Sequence, residues 1–141
     1  MLLPHRKYYQ HYVKSTQADT HEIVRIYCCP CCGYPTIGEP GGYEICEVCH
    51  WEDDNGDDGG PNGDYSLQEA QENFKQYLTM YRASEEGGPQ LKEHGYKSLH
   101  DFELRPAALE RKKNLIASLK EYMAEPDPYR RGEIWEKHPH C

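Results

Sequence analysis

Two Cys-x-x-Cys pairs, Cys29-Pro30-Cys31-Cys32 and Cys46-Glu47-Val48-Cys49, stand thirteen residues apart and constrain this chain more than any other feature. Two such pairs at this separation are the sequence form of a zinc ribbon, in which each pair sits on a tight turn and four thiolates converge on one tetrahedral ion. The first pair has a second reading, because Cys28 and Cys31 share the same spacing. Turn chemistry favours Cys29 and Cys32: Pro30 presets φ just after the first ligand, and Gly33 permits φ > 0 just after the second. The expected centre is therefore one structural zinc on Cys29, Cys32, Cys46 and Cys49, with Cys28, Cys31 and His50 as the possible substitutes. Between the pairs, Tyr34 to Ile37 and Tyr43 to Ile45 read as two strands of one hairpin turning at Glu39-Pro40-Gly41-Gly42.

Disulfide use of these cysteines is the competing explanation. Met1-Leu2-Leu3 is followed at once by Pro4-His5-Arg6-Lys7, so no secretory apolar region is expected, and a cytoplasmic chain keeps its thiols available to metal. No apolar run approaches the length of a membrane span. Leu, Ile, Val and Phe number only 21 of 141 residues, and the formal net charge is −8, a combination that alone points to disorder. Twelve Tyr and two Trp, together with a metal, supply what the aliphatic core lacks.

The charge also bears on partners. Four thiolates add four negative charges and zinc returns two positive, so a loaded chain is two units more acidic than −8. Such a field disfavours nucleic acid and suits a basic protein. Behind the second pair lies Trp51-Glu52-Asp53-Asp54-Asn55-Gly56-Asp57-Asp58, the most acidic segment of the chain. Its candidate partner-binding residues are Trp51, Glu52, Asp53, Asp54, Asp57 and Asp58, the carboxylates setting association rate and Trp51, expected to cover the zinc turn, offering an aromatic anchor if it is exposed.

Organisation follows from periodicity. Residues 1–20 form a Tyr-rich arm, read as a short helix or a segment ordered by a partner; 21–125 form the domain proper; and 126–141 form a mobile tail ending His138-Pro139-His140-Cys141. Ser66-Leu67-Gln68-Glu69 is a capping box, and Leu67, Ala70, Phe74, Tyr77, Leu78 and Tyr81 continue one apolar stripe, predicting a helix over 67–82. Pro106 opens a second helix over 106–123, with Ala108, Leu115, Leu119 and Tyr122 or Met123 inward and Glu110 to Lys113 in solvent. Residues 90–104 are too irregular to assign. The expected fold is α+β: a small single domain with a zinc-ribbon-like β-hairpin packed against two main α-helices.

The CPCCG run of Cys29 to Gly33, Tyr43-Glu44-Ile45-Cys46 with Cys49, Trp51-Glu52-Asp53-Asp54, Gly59-Gly60 with Asn62, and Ser66-Leu67 leading to Asn73-Phe74 together resemble the bacterial cysteine-rich CPCC family. The resemblance covers roughly residues 28–82. It implies a small zinc-binding protein, and since members look to be encoded beside secreted toxins, an immunity-type role neutralising a cognate toxin. A zinc-ribbon adaptor for nucleic acid or a larger complex is the alternative. Four cysteines fill a tetrahedral shell and leave no open position for water, so no enzymatic role is expected.

Overall fold

In the computed structural model, which describes residues 6–14, 20–56 and 60–137, the chain doubles back at each cysteine pair. Strand β1 (Tyr8–Lys14) pairs antiparallel with β2 (His21–Cys28), from Tyr8 opposite Tyr27 to Lys14 opposite His21. β2 then runs through the first knuckle and pairs with β3 (Pro35–Ile37), with a register shift at Tyr27 and Cys28. The second knuckle joins β4 (Glu44–Ile45) to β5 (Glu52–Asp53) in a separate two-stranded sheet.

This corrects the expected hairpin. The strands at Tyr34–Ile37 and Tyr43–Ile45 do not pair with each other; each pairs across its own knuckle. The reason is local: a Cys-x-x-Cys turn already reverses the chain, so its flanking residues are the nearest partners. The Glu39–Gly42 segment is the expected turn, Gly42 N donating to Glu39 O at 3.1 Å, but it joins strands of different sheets, and the Glu44 carboxylate holds it by accepting from the Gly38 and Glu39 amides at 3.0 and 2.8 Å.

The β1 segment is neither the short helix nor the partner-ordered arm that its sequence suggests. It is a strand, because its alternation places Tyr9, His11 and Val13 on one face, and His11 is fully buried against Tyr122 and Trp135.

Helix α1 (Leu67–Tyr77) begins as expected, with Ser66 Oγ accepting from Glu69 N at 3.0 Å. The reciprocal half of the capping box is replaced, since the Glu69 carboxylate takes the Arg82 guanidinium at 2.6 and 2.8 Å. α1 stops short of residue 82 because Leu78 turns left-handed, at φ 65°. That turn sends Met80 N to the Cys49 carbonyl at 3.1 Å. Short helices α2 (Pro89–Glu93) and α3 (Leu99–Glu103) fill the segment that periodicity left unassigned.

α4 (Pro106–Ala124) buries Ala108, Leu115, Leu119 and Tyr122 as predicted, but also Lys112, expected in solvent. Its stem continues the apolar stripe, and its Nζ donates to Leu78 O at 2.8 Å and to Glu103 at 3.1 Å. Nor are residues 128–137 a mobile tail. They form α5 (Pro128–Lys137), opened by Asp127 accepting from Tyr129 N at 3.0 Å and packed on β1. Residues 138–141 lie outside the described residues.

The described residues form a small single α+β domain: a three-stranded and a two-stranded antiparallel sheet and two knuckles against five α-helices. Its main core joins the knuckle cysteines and Trp51 to Phe74 of α1 and to Leu115, Ile116 and Leu119 of α4. No helix among the described residues is long and apolar enough to cross a membrane.

Candidate metal centre

Both knuckles are built alike. In the first, Gly33 N donates to Cys29 O at 2.8 Å and Cys29 N to Tyr34 O at 2.8 Å. The second repeats this, with His50 N donating to Cys46 O and Cys46 N to Trp51 O, both at 2.9 Å. Gly33 has φ 83° and His50 has φ 73°, so His50 occupies the glycine position of its turn. A residue with a Cβ is strained there. His50 is tied down from outside, its Nε2 lying 2.9 Å from Glu103 Oε2.

The turns bring Cys29, Cys32, Cys46 and Cys49 together, with all four Sγ atoms within 4.8 Å of one another. Cys29–Cys49 and Cys32–Cys46 are each 3.6 Å apart. A tetrahedral ion with metal–sulfur bonds of about 2.3 Å has sulfur–sulfur edges of roughly 3.8 Å, so the donor set fits one such ion. Thr36 Oγ1 donates to Cys46 Sγ at 3.0 Å and Val48 N to the same sulfur at 3.4 Å, interactions that hold a thiolate and fix its direction.

The electrostatics match. Burial pushes the Cys29, Cys32 and Cys49 thiols well up. At Cys46 burial acts the same way, but hydrogen bonds from the other three thiols and Thr36 outweigh it and hold that sulfur well below the ordinary thiol range. Four buried sulfurs this close together are a donor set whose negative charge a bound cation would offset. The four cysteines can therefore hold a metal ion. Cys28 and Cys31 are buried next to this set but are not in it.

The acidic segment behind the second knuckle divides. Trp51 is 1% exposed and sits in the core, and Asp53 is 0% exposed; neither presents a surface to a partner, which corrects their assignment as contact residues. Trp51 is drawn in because a ring this large is the main filling available between the knuckles and α4. Asp53 is drawn in by Arg6, whose Nη1 and Nη2 donate to its two oxygens at 2.6 and 2.9 Å while Nη2 also donates to Asn55 Oδ1 at 2.6 Å. The Gly41 amide adds a bond to Asp53 at 3.0 Å. Glu52 and Asp54 remain half-buried, Asp54 accepting from Gly56 N at 2.9 Å. Asp57 and Asp58 lie outside the described residues.

Sequence reasoning missed Thr36 beside Cys46, the Arg6–Asp53 pair and the equivalence of His50 with Gly33. Only the last had a signal: superposing the two Cys-x-x-Cys runs puts His50 in register with Gly33. No curated protein matches the chain, and no solved structure does. The family model described as Cysteine-rich CPCC matches residues 27–91, the span that contains both knuckles, β3 to β5 and α1. Over residues 27–91 the chain is thus similar to the cysteine-rich CPCC family.

Proposed function

We propose that this chain is a zinc protein whose ion is structural and whose work is to bind another protein. The observation supporting the first half is the closed set of four cysteine sulfurs on two matched knuckles. Zinc suits it because a d¹⁰ ion accepts tetrahedral sulfur ligation without redox change. Four thiolates also leave no position for a reacting water, so the proposed role is not enzymatic. Elemental analysis of the purified chain tests this. One zinc per chain is expected, lost in Cys29→Ser, Cys32→Ser, Cys46→Ser and Cys49→Ser and kept in Cys31→Ser. Zinc kept by Cys29→Ser and lost by Cys31→Ser would overturn the ligand set.

The second half is that the partner is a cognate toxin, basic in charge, bound in the cytoplasm in the manner of an immunity protein. Supporting it are the net charge of −8 and the toxin association that the family resemblance implies. Burial of Trp51 and Asp53 moves the contact surface to what remains accessible beside the second knuckle, Glu52 and Asp54 included. Co-expression with a toxin encoded by the adjacent reading frame is the test. Rescue of growth is expected, and a toxin that kills equally with and without this chain would overturn the immunity role.

A further inference from the structure

We propose that two copies of this chain pair through the open edge of β2, antiparallel about a two-fold axis at Ile23, and so join their sheets into one. The two edges of the three-stranded sheet, ordered β1-β2-β3, differ. Helix α5 seals the β1 edge: Arg131 Nε donates to Gln10 O at 2.8 Å, and Gly132 lies against the Tyr12 carbonyl. On the other side of β2 the sheet continues only at the strand's end, where β3 takes Tyr27 and Cys28. The rest of β2 is an edge, and an unsealed edge is a template for another strand.

Which backbone groups are open follows from the ladder. Cys28 N donates to Lys7 O at 2.9 Å, and bonded and non-bonded pairs alternate along an antiparallel ladder. In the register of β1 and β2 the bonded pairs are therefore Tyr9 with Ile26, His11 with Val24 and Val13 with Glu22. His21, Ile23 and Arg25 direct their N–H and C=O groups away from β1. Those of Ile23 and Arg25 meet no partner among the described residues, and all three residues are exposed. Ile23 also holds a large apolar side chain 56% exposed, opposite Tyr12 on the same face of the sheet.

A second copy of the edge fits this pattern in one register. An axis at Glu22 would set two carboxylates directly opposite each other, which is destabilising. An axis at Val24 would set His21 against Tyr27, which already pairs with Ile37. An axis at Ile23 avoids both. It places His21 opposite Arg25 and Glu22 opposite Val24, gives the outward groups about six inter-chain hydrogen bonds, and lays Ile23 on Ile23 of the second copy between the two Tyr12 rings. Five residues a side make an edge of roughly 17 Å, too small a contact for a tight complex, so a dissociation constant of about 10–500 µM is expected.

Sedimentation equilibrium of the zinc-loaded full chain tests this at about pH 8, where histidine is ordinarily neutral, and about 0.15 M salt, which screens the repulsion of two acidic copies. The average mass should rise from one chain towards two between about 10 µM and 1 mM. Over the same range amide hydrogen exchange should slow at Ile23 and Arg25, and not at Val24, already bonded to His11. Ile23→Lys, which opposes two like charges on an exposed position, should weaken the dimer at least about tenfold, whereas Ile45→Lys, an equally exposed position on β4, should change it less than about twofold. If Ile23→Lys fails to fold, Ile23→Thr, which keeps the strand and removes the apolar contact, should weaken it several-fold. A single chain at all concentrations up to about 1 mM, a dimer that survives Ile23→Lys, equal loss in Ile45→Lys, or protection away from Ile23 and Arg25 would each overturn the proposal. So would an edge protected only when another protein is added, which would give it to that protein. Zinc content and the toxin rescue report separately on the function proposed above.

Discussion

His50 shows how a single residue joins the metal centre to the rest of the chain. Its backbone takes the left-handed conformation that glycine takes in the first knuckle, at a cost of roughly 1–2 kcal/mol, and its ring meets Glu103. Burial works against the charge of Glu103, but the hydrogen bond and charge of His50 and the charge of Lys112 outweigh it and hold its pKa down to about 2, from an ordinary 4.5. Because the folded value lies below the unfolded one, the stabilisation is complete above pH 4.5 and is lost as pH falls towards 2. Its size is on the order of 3 kcal/mol. Denaturant melts of wild type and Glu103→Gln should therefore differ most above pH 4.5 and converge in acid; acid release of metal is common to both and cancels. A difference that stays constant from pH 6 to pH 3 would contradict the assignment. Asp53 is the second such residue. With Asp53→Asn, Arg6 is left buried beside a neutral amide, and unfolding measurements should show a loss of about 3–5 kcal/mol. A surface carboxylate, as the sequence first suggests, would give less than about 1 kcal/mol.

Among the elements, α1 and α4 were legible because their apolar spacing and start signals are local. Their ends and neighbours were not. Nothing near Leu78 in sequence reads as a stop; α1 ends there because Lys112, from α4, takes the Leu78 carbonyl and Asn73 takes that of Met80 at 2.9 Å. α5 escaped notice for a related reason. Its mixture of charges and Gly132 makes a poor isolated helix, and it is held by β1. Arg131 Nε donates to Gln10 O at 2.8 Å and Nη1 to Glu125 O at 2.7 Å. Trp135 stacks on His11 with ring centres 5.0 Å apart. At Gly132 the helix lies so close to the strand that an added Cβ would overlap the Tyr12 carbonyl oxygen. Intrinsic propensity favours Gly132→Ala by about 1 kcal/mol, but the contact is with backbone and cannot yield cheaply. The variant should lose about 1–3 kcal/mol in thermal melts, with raised hydrogen exchange across β1. A stabilised variant would mean that α5 is not docked on the strand.

At the scale of the whole molecule the candidate metal centre and the core are one structure, since Cys29, Cys46 and Cys49 pack in the same cluster as Trp51, Phe74, Leu115 and Leu119. On the zinc reading proposed above, complete metal removal by chelator should therefore lower the melting temperature steeply and abolish the near-ultraviolet dichroism of the buried Tyr and Trp, not merely loosen the knuckles. An unchanged melt would separate the metal from the fold. The cysteine spacing, Pro30 and Gly33 determined by themselves which four sulfurs converge, because a knuckle is closed by hydrogen bonds within five residues. Capping at Ser66 and Pro106 placed two helix starts for the same reason. Strand pairing, the inward turn of Asp53 and Lys112, and the order of residues 128–137 were decided only in tertiary structure. The inward turn of Asp53 and Lys112 and the order of residues 128–137 each depend on a partner more than 30 residues away in sequence, Arg6 for Asp53, Leu78 for Lys112 and Gln10 for Arg131, and a buried charge is stable only where that partner is in place.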